Sequence, residues 1–203
     1  MSATVRGILI GAAGMLALLV AIALIVVLTG GYNVAATDRH SPMIGWALTT
    51  TMRNAVQNSA DDLTAPAEIT PMMIAAGAGE YKAMCAQCHG GIDGGRAGWA
   101  EIMQPAPPAL AQAAKRWNIE EVHWLVAHGV KMSGMPAFGQ THDEATVWNI
   151  AAFVKAMPTM TEAQYAAFPE GHGDNGHSHA AGAGEPGGEG GHVDPPGTPA
   201  HTH

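Results

Sequence analysis

Cys85-Ala86-Gln87-Cys88-His89 is the segment of this 203-residue chain whose residue types and spacing bear most directly on chemistry. Two thiols three positions apart share one face of a helical turn, and an imidazole follows at once. C-x-x-C-H is the pattern through which c-type haem is attached: the thiols add to the two vinyl groups and the histidine reaches the iron. The spacing places both sulfurs on one porphyrin edge and His89 under the ring centre. Three other chemistries use paired cysteines. A thioredoxin-like dithiol needs a βαβ setting, and no convincing strand surrounds this motif. A zinc site needs a second ligand pair, and the chain has two cysteines in all. A Cys85–Cys88 disulfide leaves His89 without a role. The expectation is one covalently attached haem c, held by Cys85, Cys88 and His89.

A sixth iron ligand is then expected downstream. Lys131-Met132-Ser133-Gly134-Met135-Pro136-Ala137-Phe138 offers two thioethers, while His123, His128 and His142 offer imidazoles on or beside expected surface helices. Any methionine is by default a filler of apolar space. The run Gly134-Met135-Pro136-Ala137-Phe138, however, resembles the ligand loop of the class I cytochromes c, and the resemblance implies Met135 as the axial ligand, with Met132 its rival. A thioether opposite histidine favours reduced iron and raises the potential, which suits an electron carrier. Gln104-Pro105-Ala106-Pro107-Pro108-Ala109-Leu110 resembles the same family's Pro-x-Leu turn. There the resemblance implies that the Pro108 carbonyl accepts from the second ring nitrogen of His89, orienting the ring, and that Leu110 packs on the haem. The resemblance covers residues 70–158 and implies an all-α fold, a cytochrome c-like helical domain around one covalent haem.

Helix signals fit that scheme. Thr70-Pro71 is a cap followed by a first-turn proline, opening a helix that runs to His89. Asn118 with Glu121 forms a capping-box pattern for a helix through about His128, stopped by Gly129. Thr141 with Glu144 gives the same pattern for a last core helix ending before Pro158. In the family the first and last helices cross, a small residue against an aromatic; Gly77, Gly79 and Tyr81 are expected to pack against Trp148 and Phe153. A short helix is expected over 159–168.

The N-terminal third carries a different signal. From Gly7 to Thr37 there is no Asp, Glu, Lys or Arg, and Ile8 to Thr29 is nearly all apolar. Those 22 residues make a helix of about 33 Å, enough to cross a hydrocarbon core of roughly 30 Å. Arg6 before the run orients that end to the cytoplasm, so the rest of the chain is exported to the periplasmic side of the cytoplasmic membrane as a single-pass protein. A cleaved signal peptide is the competing reading, with Val34-Ala35-Ala36 near a small-x-small site, although its apolar stretch is usually only about 7–15 residues long. Ser41 as cap and Pro42 at the first position then open an amphipathic helix of about four turns (Met43, Ile44, Ala47, Leu48, Met52, Val56, with Trp46). It lies on the membrane face, against a partner, or over its own domain. Gly31 to Thr37 resembles segments of anchored bacterial cytochromes, with no function attached to it.

Composition sets the outer limits. The net charge of −8 argues against nucleic acid as a partner. Residues 1–69, 70–158 and 159–168 each carry −1, so the haem region is close to neutral and the 169–203 segment holds the remaining −5. That segment has ten Gly, six His and no Lys or Arg, too little apolar surface to fold, and is expected to be disordered. Its histidines (172, 177, 179, 192, 201, 203) are candidates for weak divalent-metal binding. The expected organisation is a transmembrane anchor (1–30), an amphipathic helix and linker (31–69), a cytochrome c domain (70–158), a short helix (159–168) and a His/Gly-rich tail (169–203). The expected function is electron transfer between redox protein partners such as an oxidase, a dehydrogenase or another cytochrome, as a carrier or a respiratory-complex subunit and not as an enzyme. Two alternatives stand beside it: a haem enzyme or sensor with an open iron position, and a metal-handling protein working through the tail.

Overall fold

A computed structural model describes residues 2–169, and every regular element within them is helical. The expected His/Gly-rich tail, apart from Pro169, lies outside the described residues.

The first helix, α1 (Ala3–Thr29), has Ser2 as its cap and ends where Gly30 turns left-handed at φ 65°. Its 27 residues make a rod of about 40 Å. Its most apolar 18-residue stretch has a mean hydropathy of 2.9, and none of the helix's residues is buried. It is long and apolar enough to cross a membrane.

Helix α2 (Pro42–Ala60) is longer than the periodicity suggested and begins with proline at its first position. Ser41 precedes it as expected, but its hydroxyl makes no capping bond. The far end of α2 packs on α7 (Ile119–His128), where Val56 and Ala60 are buried. The C-terminal half of α2 therefore covers its own domain.

Helix α3 (Pro71–Glu80) is capped by Thr70, whose Oγ1 accepts from Met73 N at 3.2 Å. It continues through a wide π-turn (Tyr81–Cys85) into α4 (Ala86–His89), so the helical path reaches His89 with one loosened turn in it. Two single-turn helices, α5 (Gly98–Glu101) and α6 (Leu110–Ala113), lie in the connection to α7. The capping box of α7 is complete: Glu121 N donates to Asn118 Oδ1 and Asn118 N donates to Glu121 Oε2, each at 2.7 Å. Such a cap contributes about 1 kcal/mol.

Helix α8 (Glu144–Ala156) starts two residues later than the Thr141 cap predicts. Asp143 is the cap, its Oδ1 accepting from Thr146 N at 2.7 Å. The Thr141 hydroxyl is engaged instead with Phe138 O and the His142 ring, closing the preceding turn. Asp and Thr are both good caps, and in this stretch the tight Phe138–Gln140 turn consumes the first of them.

The core forms where α3 crosses α8. Gly77 makes that crossing close: a Cβ there would collide with the backbone carbonyl of Asn149. Tyr81, Val147, Ile150, Phe153 and Met157 are fully buried around it, with the Tyr81 and Phe153 rings 5.2 Å apart. Trp148 goes elsewhere than the resemblance suggests, stacking on His123 of α7 with ring centroids 3.9 Å apart. A last helix, α9 (Glu162–Ala167), returns to the core through its own capping box, and Tyr165 and Phe168 pack on Phe153. Lys82 donates to Phe168 O and lies 4.9 Å from the centre of the Tyr165 ring.

Candidate functional site

Cys85 closes the π-turn, and Cys88 and His89 stand on the single turn of α4. All three are half-buried. Gly90 ends the turn at φ 74°, a left-handed conformation that favours glycine. Two bonds fix it there: the buried Tyr81 hydroxyl donates to Gly90 O at 2.7 Å, and Ala97 N donates to Gln87 O at 2.9 Å. The motif is thus held from the core side by α3 and from the outer side by the following loop.

His89 Nδ1 lies 2.8 Å from Pro108 O. A carbonyl can only accept, so the bond requires the proton on Nδ1 and leaves the Nε2 lone pair free to bind a metal. Burial pushes the His89 pKa down, the Pro108 bond opposes that, and the Arg96 charge adds to the lowering. The neutral, ligand-ready imidazole is favoured. Burial likewise pushes the Cys85 thiol up to about 12, with Cys88 and Glu80 adding to it. A reactive dithiol requires the opposite shift, since the thiolate is the nucleophile. Cys85 is therefore a poor nucleophile for thioredoxin-type exchange. Among the described residues, no group of three or more His, Cys, Asp or Glu is placed to hold a metal ion, which leaves the zinc reading without ligands there.

The two candidate methionines have different surroundings. Met132 is 91% exposed and takes a positive φ of 60° at the tip of its loop. Met135 is half-buried against the core. Its loop is tied to itself: Val130 N donates to Met135 O at 3.2 Å, Ser133 Oγ to Val130 O at 2.7 Å, and Met135 N to Ser133 Oγ at 3.2 Å. Gly129, at φ 65°, faces this loop so closely that a Cβ would lie 2.6 Å from Met135 O.

One of the three imidazole alternatives sits differently from expectation. His123 is buried rather than on a surface, its ring sandwiched on Trp148 and both nitrogens without a hydrogen-bond partner. Burial drives its pKa down, with Glu144 opposing and His128 reinforcing. His128 stacks on Trp124 at 4.6 Å and bonds back to Trp124 O, and His142 packs edge-on against Phe138.

Sequence reasoning passed over two residues at this site. Arg96 Nη1 donates to Pro107 O at 2.7 Å, anchoring the proline turn next to the carbonyl that His89 uses. Met103 lies over the methionine loop, where a Cβ on Gly134 would strike its side chain. Neither has a spacing signal, because both contacts join segments brought together only by the fold.

The donor set suits a haem c: two free thiols for attachment, an imidazole already oriented through Nδ1, and a half-buried thioether in a self-bonded loop. A family model described as Cytochrome C oxidase, cbb3-type, subunit III, matches residues 73–154. No solved structure matches the chain. The matched segment takes in the crossing of α3 and α8, the C-x-x-C-H turn and the methionine loop, and residues 73–154 are a cytochrome c domain of the cbb3-type subunit III family, preceded by a long apolar N-terminal helix.

Proposed function

We propose that this protein is a membrane-anchored monohaem electron carrier, or the carrier subunit of a respiratory complex. In this reading Cys85 and Cys88 would attach one haem c, His89 Nε2 and Met135 would hold its iron, and α1 holds the domain on the periplasmic face of the cytoplasmic membrane. The observation that carries it is the His89 Nδ1–Pro108 O bond beside the paired thiols. That bond fixes ring orientation and proton position and so makes Nε2 a stronger donor. When bound, the haem supplies a one-electron couple. The residues around it do the rest. Arg96 holds the proline turn, Tyr81 holds the end of the motif, and the loop from Gly129 to Phe138 presents a thioether that favours the reduced state. With His89 and Met135 both holding the iron, no position would be left for a small-molecule substrate, which favours a carrier over an enzyme or sensor. Its partners are redox proteins at the same membrane, an oxidase of the cbb3 type among them.

Acid-acetone extraction of the purified protein tests the attachment. The visible spectrum is expected to stay with the polypeptide, and to leave it in a Cys85→Ala, Cys88→Ala double variant. Haem passing into the solvent from the wild-type protein would sink the reading.

A further inference from the structure

The connection between α1 and α2 is closed on itself. Tyr32 Oη lies 2.5 Å from His40 Nδ1, and the two rings stack with centroids 6.0 Å apart. Inside that closure Asn33 Nδ2 donates to Asp38 Oδ2 at 2.6 Å, Ala35 N to Asn33 Oδ1 at 2.9 Å, and Asp38 N to Ala35 O at 3.2 Å. Tyr32 stands two residues beyond Gly30, where α1 ends, and His40 two residues before Pro42, where α2 begins. An open connection of that length can reach some tens of ångströms. The closed one brings the start of α2 to the end of α1. The Gly31–Thr37 segment thereby acquires a role.

The exposed side of α2 changes character along its length. No charged residue occurs from Pro42 to Met52, and Met43, Trp46 and Leu48 are 75%, 69% and 50% exposed. Beyond three threonines (49–51) the exposed positions are polar apart from Ala55: Arg53, Asn54, Gln57, Asn58 and Ser59. Met43, Ala47, Thr51, Asn54 and Asn58 recur every three or four residues along one stripe, all of them exposed, and that single stripe runs from apolar to polar. The opposite side closes on the protein at Val56 and Ala60. A helix covered by a partner protein along its length has no need of such an axial gradient. One that leaves a lipid surface does, and tryptophan and tyrosine at the point of exit are what an interface of mixed polarity selects.

We propose that the first two turns of α2 lie in the headgroup and acyl boundary of the bilayer, and that the Tyr32–His40 closure sets them there. This rests on α1 being retained as the membrane anchor. The haem domain, packed on the other end of α2, is then held at a set height and tilt over the membrane and does not swing on a free tether. Its partner is the lipid surface itself.

The full-length holoprotein in phosphatidylethanolamine/phosphatidylglycerol vesicles provides the test. With both native thiols taken by haem, single nitroxide labels are placed at Met43→Cys, Ala47→Cys, Asn54→Cys and Asn58→Cys. Collision of each label with oxygen, which concentrates in lipid, is compared with collision with a water-soluble nickel chelate. The expected oxygen-to-nickel ratio is at least threefold higher at 43 and 47 than at 54 and 58, and the Tyr32→Phe, His40→Ala variant is expected to flatten that gradient. A uniform, water-like ratio along the stripe overturns the inference. So does low collision with both reagents at 43 and 47, the signature of a protein cover such as a second copy. Loss of the protein from the vesicles on alkaline carbonate washing strikes instead at the anchor reading, and the two failures are thus told apart.

Discussion

Met132 and Met135 lie three residues apart, and a single substitution at each separates their roles. Met132 sits in solvent at a positive φ, so no packing among the described residues constrains its sulfur. Met135 is enclosed by its own loop and by the Gly129 contact, which fixes its backbone. We expect Met135→Ala to abolish the weak red-end charge-transfer band of sulfur-ligated ferric haem, lower the potential and open the iron to carbon monoxide. Met132→Ala should leave all three unchanged. Retention of the band in Met135→Ala with its loss in Met132→Ala would reverse the ligand assignment while keeping the carrier. The motif residues themselves are legible from spacing, because a C-x-x-C-H turn is local. What supports them is not. Arg96 and Pro107 are eleven residues apart with no periodic relation, and the bond between them exists only once the loop has folded over the proline turn. His123 illustrates the same limit: expected on a surface helix, it is buried in the fold with Trp148 of α8 stacked on its ring.

At the scale of elements, the placement of the motif depends on how closely α3 can approach α8. Gly77 decides this, since the Asn149 carbonyl occupies the space a side chain would need. Gly77→Ala must push the helices apart. The usual preference for alanine over glycine inside a helix, roughly 0.5–1 kcal/mol, works the other way. Overpacking against rigid backbone costs about 1–3 kcal/mol and outweighs it. A fall in thermal midpoint of several degrees is expected, about 4–8 °C per kcal/mol for a domain of this size. The Tyr81–Gly90 bond at the end of the motif should loosen with it. An unchanged or raised midpoint would show that the crossing has slack. Two of the four caps read from the sequence, Thr70 and the Asn118/Glu121 box, form as their patterns indicate. The start of α8 was misread because two adjacent caps compete and only the geometry of the preceding turn chooses between them. The π-turn over Tyr81–Cys85 has no sequence signal at all, being set by how the chain must rotate to bring Cys85 round while Tyr81 stays in the core.

For the whole molecule, the decisive matter is whether α1 stays attached. A helix of about 40 Å exceeds a hydrocarbon core of roughly 30 Å, and a span that is too long is accommodated by tilting. An apolar region of a signal peptide, by contrast, is about 7–15 residues long. The apolar run here passes that limit, and the segment after it, where a cleavage site would fall, is folded into the Tyr32–His40 closure around Val34-Ala35-Ala36. A peptidase needs an extended substrate, so under the proposed anchor reading this closure would guard that near-match to a cleavage site. The retention proposed here has a kinetic consequence as well. A carrier confined to the membrane meets membrane-bound partners at the effective concentration of a tether, in the millimolar range for short links. We expect membranes washed with alkaline carbonate to keep the protein, and N-terminal sequencing of that protein to begin upstream of Ile8. Electron delivery to a partner in the same vesicle should then be independent of dilution, whereas a released domain would slow in proportion to it. A soluble chain beginning between Asn33 and Asp38 would show that the closure forms too late to guard the site.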